Sequence, residues 1–226
     1  MNYKRNEYQE ELERIIDGAY KLYMPQIRSE IFQLAELVQN QYGLTKKSDP
    51  YNILEIGTKY GGTFHIWSSI NCGNGLNISI DMSDGGKHGG IIEEEMDKRD
   101  LWFQGRFDNV HFIRKDSHWD STKHSLFLLL KLLGKENDTS KWYECIDFLF
   151  IDGDHTKEGV AQDFDMYSPF VKKGGIVAFH DIVISDYHHS RDVYVGEFWN
   201  EIKERYRHIE FVEEGNNWGG IGCIFI

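Results

Sequence analysis

Two short segments of the chain combine carboxylates with imidazoles. Asp152–His155 carries two aspartates and a histidine, and His180–Asp181 repeats the combination further along. Each segment follows a continuously apolar run, which is typical of a central strand buried on both faces of a parallel sheet. Because neighbouring strands lie about 4.8 Å apart, we expect Asp152 and Asp181 to reach one cation or one substrate.

The residue types in these segments allow two kinds of chemistry. Carboxylate oxygens suit Mg²⁺, and the added histidines also admit Mn²⁺, Fe²⁺ or Zn²⁺. On that basis Asp152, His180 and Asp181 are candidate metal ligands. With no metal, His155 or His180 could instead be a general base. The candidate catalytic residues are therefore Asp152, His155 and His180, although each histidine alone is as readily a hydrogen-bonded loop residue.

A glycine-rich turn follows the first apolar run after residue 50, with glycines at 57, 61 and 62. Glycine lets the backbone turn sharply and approach a ligand where a Cβ would collide. Thr63 is predicted to cap the helix that follows. A dinucleotide site requires G-x-G-x-x-G, and Lys59 stands where its middle glycine would be. The turn therefore disfavours NAD, and the alternative is an ordinary strand-to-helix connection.

Two further strand ends carry polar side chains. Asp81 closes the next apolar run, 24 residues after Gly57, where a carboxylate can accept both ribose hydroxyl protons. Asp116 and Ser117 end the following strand, where either could bond an adenine amino group. Equally, Asp116 could cap the helix that begins at His118.

The hydrophobic periodicity predicts the elements that position these residues. The first 43 residues carry two helical patterns separated by Pro25, and five β–α units then predict a parallel sheet with helices on both faces. Ile209–Glu213 and Ile221–Ile226 flank glycines and are predicted to pair as a hairpin. The other predicted strands are Asn52–Ile56, Leu76–Met82, Val110–Lys115, Ile146–Asp152 and Gly175–Asp181. The later predicted helices are Gly62–Ile70, Ile92–Phe103, His118–Leu133, Lys157–Val171 and Val193–Tyr206.

Composition narrows the possible partners. The chain has 25 basic and 37 acidic side chains, a net charge of −12, and shows no basic stripe, so nucleic acid is not an expected partner. The most apolar stretch, Leu126–Leu133, is shorter than the ~20 residues a membrane span needs. The N-terminus lacks the apolar segment of a signal peptide. The three cysteines have no paired spacing and are predicted to be reduced thiols. These points favour a cytoplasmic protein.

The helix around Leu126–Leu133 is apolar on nearly every side. Such a helix is either deeply buried or half of an oligomer interface. We favour the second interpretation and predict a homo-oligomer. His188 and His189, by contrast, are predicted to be exposed on a loop after the fifth strand of the sheet.

The ordered motifs resemble class I S-adenosylmethionine methyltransferases, over roughly residues 50–226. The most similar branch contains cephalosporin hydroxylase-like proteins and macrolide-sugar O-methyltransferases. The motifs are Glu55-x-Gly57-x-x-x-Gly61, Asp81, Ile151-Asp152-Gly153-Asp154-His155 and Gly174-Gly175-x-x-x-x-His180-Asp181.

The resemblance implies a Rossmann-like, doubly wound, mostly parallel sheet of seven strands with a C-terminal antiparallel hairpin. Residues 1–49 form an N-terminal helical extension and 50–226 the S-adenosylmethionine-binding domain. In that family an Asp after the fourth strand and an acidic pair after the fifth bind Mg²⁺. Asp152 and Asp181 match, whereas His180 departs from the pair. The implied cofactor-binding residues are Glu55, Gly57, Tyr60, Gly61, Thr63, Asp81, Asp116, Ser117 and Asp152.

The expected function is transfer of a methyl group from S-adenosylmethionine to a hydroxyl of a small acceptor, a sugar or natural product, with Mg²⁺ or Mn²⁺ as a possible second cofactor. The methyl group moves in line from sulfonium to oxygen, so the protein must align the partners and remove a proton. One alternative is a nucleotide-sugar or nicotinamide-dependent oxidoreductase, which needs the missing glycine and a Tyr-x-x-x-Lys pair that does not follow the fourth strand. Another is a non-catalytic cofactor-binding module.

We expect S-adenosylhomocysteine, and neither NAD nor NADP, to raise the melting temperature of the protein. A ligand at 100 times its dissociation constant adds about 2.7 kcal/mol to the free energy of unfolding, which a thermal melt detects readily. Stabilisation by NAD alone would contradict the prediction and favour the oxidoreductase.

Overall fold

A computed structural model describes residues 2–42, 51–71, 75–83, 90–133 and 144–226, with side chains from residue 7. Its strands form one seven-stranded sheet in the order β3-β2-β1-β4-β5-β7-β6. The strands are β1 Ile53–Ile56, β2 Asn77–Asp81, β3 Val110–Arg114, β4 Ile146–Ile151, β5 Val171–His180, β6 Arg207–Phe211 and β7 Ile221–Phe225. The described helices are α1 Asn2–Tyr20, α2 Arg28–Tyr42, α3 Gly62–Ile70, α4 Glu93–Gln104, α5 Asp120–Leu133, α6 Lys157–Tyr167, α7 Asp186–His189 and α8 Val195–Ile202.

The pairing of the strands confirms the predicted fold class. Strands β1 to β5 pair in parallel, and β7 runs antiparallel to both β5 and β6. Ile56, the last residue of β1, is in register with Ile80 on one side and Ile151 on the other. Ile151 is in turn paired with Phe179. The carboxyl ends of the four adjacent strands β2, β1, β4 and β5 therefore lie side by side at the same end of the sheet.

Alternating side chains of the central strands fill two separate hydrophobic clusters. Leu149 and Ile151 of β4 belong to the cluster that also contains α6 and α8 residues. Phe148 and Phe150 belong to the other cluster, with Trp67 of α3. Burial on both faces explains why this strand has a continuously apolar sequence.

The N-terminal helices contribute to the second cluster. Leu12 of α1 and Leu34 of α2 are buried there together with Ile53 and Phe148 of the sheet. The first two helices and the sheet thus share one hydrophobic core. The predicted boundary between residues 49 and 50 lies outside the described residues.

Several element boundaries differ from those predicted. Helix α6 ends at Tyr167, and a 3₁₀ turn of Ser168–Phe170 follows it. Pro169 lacks the N–H that continuation of the helix requires. Strand β5 consequently begins at Val171, four residues before the predicted start.

Helix α5 distributes its leucines between core and surface. Leu126 and Leu130 are buried, while Leu132 is 80% exposed. The homo-oligomer predicted from this helix stays a prediction. In the parts of the chain that are described, helices are too short or too polar to cross a bilayer.

A buried carboxylate fastens α2 to the C-terminal hairpin. Glu30 has no exposed surface, and burial raises its pKa. Its oxygens accept hydrogen bonds from the backbone N–H groups of Glu213 and Gly220, both at 2.8 Å. The start of α2 is thereby tied to the loop between β6 and β7.

We expect Glu30→Ala to lower the free energy of unfolding by about 1–3 kcal/mol, since the buried N–H of Gly220 and the partly buried N–H of Glu213 lose their acceptor. Urea unfolding measures the difference. Gln33→Ala is the matched control, because Gln33 is an exposed residue of the same helix and should change stability by less than about 0.5 kcal/mol. Equal effects of the two changes would show that the tie contributes nothing.

Candidate active site

A cavity of about 510 Å³ opens at the carboxyl ends of β1 to β5. This is the edge at which ligands bind in open α/β sheets. The cavity brings together all of the predicted site residues except two, Glu55 and Gly61, which are absent from its lining. The sequence motifs therefore converge on one cavity, and the roles predicted for these residues stay predictions.

The glycine turn after β1 needs glycine at position 57. Gly57 has φ +86°, a conformation that glycine adopts at little cost. A Cβ there would lie 2.0 Å from the carbonyl oxygen of Asp152. The turn therefore packs directly against the end of β4, and residues from both strands face the same cavity.

The predicted capping role of Thr63 is wrong. Helix α3 begins at Gly62, and the residue before it is Gly61, which makes no side-chain cap. Thr63 is already inside the first turn of the helix, where its side chain is buried. Gly61 takes the left-handed conformation with φ +90°, which turns the chain into the helix without a capping side chain.

Glu55 lies beneath the turn. Its side chain is fully buried, and burial raises its pKa to about 8, which the nearby Thr58 and Thr63 side chains partly oppose. At neutral pH the carboxyl group is therefore largely protonated. Because Glu55 is absent from the cavity lining, any effect on a bound cofactor is indirect, through the residues of the turn.

Asp81 faces the cavity and is held by an arginine that the sequence analysis missed. The Oδ2 atom of Asp81 lies 2.6 Å from Arg99 Nη1 and accepts the backbone N–H of Lys59 at 2.9 Å. Arg99 also donates to the carbonyl oxygen of Lys59 at 2.6 Å. Burial raises the pKa of Asp81, and the Arg99 charge counteracts it. One buried guanidinium thus fixes both the glycine turn and the predicted ribose carboxylate.

Asp116 and Ser117 line the cavity, and Asp116 also orders the chain that follows. Its Oδ1 accepts the backbone N–H of His118 at 2.9 Å, and α5 starts only at Asp120. The alternative that Asp116 caps a helix beginning at His118 is therefore wrong, because its side chain orders the turn that precedes the helix. The predicted place of Asp116 in the site stays a prediction.

His118 is a further lining residue that the sequence analysis did not select. Its Nε2 lies 3.4 Å from Oδ1 of Asp163, a fully buried carboxylate. That carboxylate raises the pKa of His118 to about 9, while burial raises the pKa of Asp163 despite the nearby imidazole. The cavity wall beside Ser117 therefore carries an imidazole that is paired with a buried carboxylate.

The carboxylates and imidazoles of β4 and β5 converge as predicted. Nε2 of His155 lies 3.4 Å from Asp152 Oδ1 and 3.3 Å from Asp181 Oδ2. Nδ1 of His180 lies 3.4 Å from Asp152 Oδ1 and 3.3 Å from Asp181 Oδ1. Asp181 adopts φ +63°, which is uncommon outside glycine and concentrates at functional sites.

The charges within this cluster stabilise one another. Burial alone would raise the pKa of both carboxyls, but His180 and His155 hold the pKa of Asp152 below its usual value. His180, His188 and His155 together hold the pKa of Asp181 well below its usual value. Burial opposes the charged form of His155 and His180, yet the carboxylates raise the pKa of both, that of His180 strongly. The imidazoles therefore compensate the charge of the two carboxylates when no other cation is bound.

The prediction that His188 is exposed is wrong, because the Ser185 side chain caps α7 and the short helix turns His188 inward. Its Nδ1 donates to the carbonyl oxygen of Val183 at 2.6 Å, and its Nε2 accepts the N–H of Gly219 at 3.1 Å. Nε2 also lies 3.3 Å from Oδ1 of Asp181, so His188 contacts both the backbone around Asp181 and its carboxylate. His189 remains partly exposed.

The donor set fits a divalent cation. Single ligand atoms of Asp152, His155 and Asp181 all lie within 4.8 Å of one another, a group that contains His155 in place of the predicted ligand His180. His180 Nδ1 nevertheless lies 3.3–3.4 Å from the same two carboxylates. Two carboxylates with two imidazoles suit Mn²⁺, Fe²⁺ or Zn²⁺, whereas Mg²⁺ prefers oxygen alone.

The parallel sheet with its reversed last strand, the glycine turn after β1 and the acid after β2 together define the class I methyltransferase fold, which confirms the resemblance seen in the sequence. The profile of the family described as a methyltransferase domain matches residues 54–182, more than half of the chain. The chain belongs to this family.

A curated relative and two solved structures extend the comparison. The chain is 30% identical over 151 residues to a mimivirus protein of Acanthamoeba polyphaga mimivirus, and the match covers 66% of this chain and 58% of that protein. An O-methyltransferase of Bacillus cereus in complex with S-adenosylhomocysteine superposes with a TM-score of 0.55 at 17% identity, covering 95% of this chain and 90% of that one. MycE of the mycinamycin biosynthetic pathway, in complex with Mg, S-adenosylhomocysteine and mycinamycin VI, superposes with a TM-score of 0.55 at 14% identity. The superposition covers 93% of this chain and 54% of MycE. At these identities the structures establish the shared fold.

We expect Asp81→Asn to weaken S-adenosylhomocysteine binding about ten- to a hundredfold, at ~1.4 kcal/mol per factor of ten. The amide keeps the size of the side chain but loses the charge that strengthens hydrogen bonds from ribose hydroxyls. Titration calorimetry measures the change, with Asp97→Asn as the control on the exposed face of α4. An unchanged affinity in Asp81→Asn would assign Asp81 to the support of Arg99 alone.

His118 should contribute a pH-dependent part of the stability. Because its pKa rises from about 6.5 in the unfolded chain to about 9 in the fold, its contribution is complete below pH 6.5 and disappears as the pH rises through 9. We expect His118→Gln to lose about 1–2 kcal/mol of unfolding free energy at pH 6, a value reduced by the partial exposure of the ring, and less at pH 10. His124→Gln, at an exposed position of α5, should show no such trend; the same trend in both variants would contradict the assignment.

Proposed function

We propose that the chain transfers the methyl group of S-adenosylmethionine to a hydroxyl oxygen of a small polar acceptor, a sugar or natural product, with a divalent cation bound beside that oxygen. The observation that carries the proposal is the convergence of Asp152, His155, His180 and Asp181 in the same cavity as the glycine turn. A cofactor site and an acid–base cluster in one cavity are what transfer to a hydroxyl requires.

The cofactor is assigned to the β1–β3 side of the cavity. The turn at Gly57, Tyr60 and Thr63 lies where the methionine part would bind, with Glu55 and Gly61 supporting the backbone of that turn. Asp81 would accept both ribose hydroxyl protons, in the position that Arg99 and Lys59 fix. The family resemblance supports this assignment.

Asp116 and Ser117 would contact the adenine. Their position after β3 is next to the ribose carboxylate, because β3 pairs with β2. Asp152 would contact both the cofactor and the cation, since its backbone packs on Gly57 while its carboxylate faces the histidines.

The acceptor end would align the hydroxyl and take up its proton. In the transfer an oxygen–carbon bond forms while the sulfur–carbon bond breaks, leaving S-adenosylhomocysteine and one proton. Asp152, His180 and Asp181 would hold the cation, and His155 completes the donor set. A bound divalent ion lowers the pKa of an oxygen next to it, as metals do for water. The Mg present in the MycE complex supports a divalent ion, and the two imidazoles favour Mn²⁺ over Mg²⁺.

In the metal-free alternative, His155 or His180 is the general base that removes the proton from the acceptor hydroxyl. The raised pKa of both histidines favours the cation over this alternative, because it lowers the fraction of free imidazole available as a base. A general base works best with a pKa near the operating pH.

We expect S-adenosylmethionine to be consumed in the presence of some members of a panel of hydroxylated sugars, glycosides and phenols. EDTA should abolish this turnover without weakening the binding of S-adenosylhomocysteine.

Asp181→Asn should lose activity and regain part of it with added Mn²⁺. Full activity in EDTA, with a rate that rises through pH 6.5 and is lost in His155→Ala or His180→Ala, would establish the metal-free reaction. Cofactor binding without turnover of any acceptor would favour the non-catalytic module.

A further inference from the structure

A glutamine from the N-terminal segment reaches into the acid–base cluster. Gln26 lies between α1 and α2, is buried and lines the cavity. Its Nε2 donates a hydrogen bond to Oδ2 of Asp152 at 2.8 Å, across 126 residues of sequence. The region matched by the methyltransferase family starts at residue 54 and does not contain this glutamine.

The orientation of the amide is determined by its partner. The Nε2 atom of Gln26 lies 2.8 Å from Oδ2 of Asp152, and a carboxylate oxygen accepts hydrogen bonds, so the NH₂ group of Gln26 faces Asp152. The backbone of Gln26 is also fixed, since its carbonyl oxygen accepts the Tyr20 hydroxyl at 2.6 Å. Within the described ranges, the side-chain oxygen Oε1 is buried and makes no hydrogen bond. Burying an amide oxygen without a hydrogen bond costs free energy, so packing alone would favour an apolar side chain at position 26.

The contact divides the two oxygens of Asp152 between different tasks. Oδ2 is occupied by Gln26, while Oδ1 faces His155 Nε2 and His180 Nδ1, each at 3.4 Å. The terminal torsion of aspartate is broad and roughly two-fold, so the carboxylate needs a fixed donor on one side to keep the other oxygen aimed at the imidazoles. Glu30, one helical turn further on, anchors this donor segment to Gly220.

We propose that Gln26 is a positioning residue that holds the Asp152 carboxylate in the orientation required by the cluster and by the divalent cation of the proposed function. The proposal rests on that function only for the cation. Donors that orient a ligating carboxylate typically change metal affinity by 10- to 100-fold when they are removed.

Gln26→Met removes the donor and keeps the length of the side chain. The test measures Mn²⁺ affinity by electron paramagnetic resonance of the free ion, in the presence of saturating S-adenosylhomocysteine. Gln33→Met on the exposed face of α2 is the matched control. We expect Gln26→Met to bind Mn²⁺ 10- to 100-fold more weakly, while both variants keep the affinity of the wild type for S-adenosylhomocysteine. A wild-type Mn²⁺ affinity in Gln26→Met, with or without a lower melting temperature, would overturn the proposal, because a purely structural role changes stability alone.

If the wild-type protein binds no Mn²⁺, the cation of the proposed function fails, and a crystal structure of Gln26→Met with S-adenosylhomocysteine then decides the role of Gln26. Rotation of the Asp152 carboxylate away from His155 and His180 supports positioning. An unmoved carboxylate overturns it.

Discussion

Two aspartates buried at the ends of adjacent strands repel each other, and the site is organised around compensating that repulsion. Asp152 and Asp181 follow β4 and β5, whose last paired residues are Ile151 and Phe179. Leaving such carboxylates without a positive partner would cost several kcal/mol. His155 and His180 each lie within 3.4 Å of both carboxylates, so protonated imidazoles can supply the compensating positive charge. A divalent cation would supply positive charge at the same place.

The rest of the fold brings support to this cluster from distant parts of the chain. The Gly57 turn packs on the backbone of Asp152, which places a cofactor side and an acceptor side in one cavity. Gln26, in the N-terminal segment, donates a hydrogen bond to Oδ2 of Asp152. His188 joins the backbone around Asp181 to Gly219 near the C-terminus. The N-terminal helices therefore complete the site as well as the hydrophobic core.

The sequence was sufficient to predict the sheet and the position of the cluster. Continuous apolar runs such as Ile146–Ile151 show burial on both faces, and the carboxyl ends of parallel strands must meet, so Asp152 and Asp181 had to be close. The glycine turn was also predicted from the sequence, and the structure gives the reason for the glycine, because position 57 has no room for a Cβ. Elements whose ends depend on one local residue were less certain, as Pro169 at the end of α6 illustrates.

The residues that the sequence did not reveal act through tertiary contacts. Arg99 is one of several charged residues in α4, and its burial against Asp81 follows only from the packing of that helix. Gln26 lies 126 residues from Asp152, and no periodicity or motif marks it. His188 was predicted to be exposed because a histidine pair on a loop usually is, whereas the Ser185 cap turns it inward.

The most direct test of the charge balance at Asp152 and Asp181 is calorimetric titration of Mn²⁺ in two buffers of different ionisation enthalpy at neutral pH. Metal ligands must be deprotonated to bind, so binding releases the protons they held. Because His155 and His180 have raised pKa values in the metal-free protein, the account predicts release of about one to two protons per Mn²⁺. Saturable binding with no proton release, or no binding at all, would contradict it.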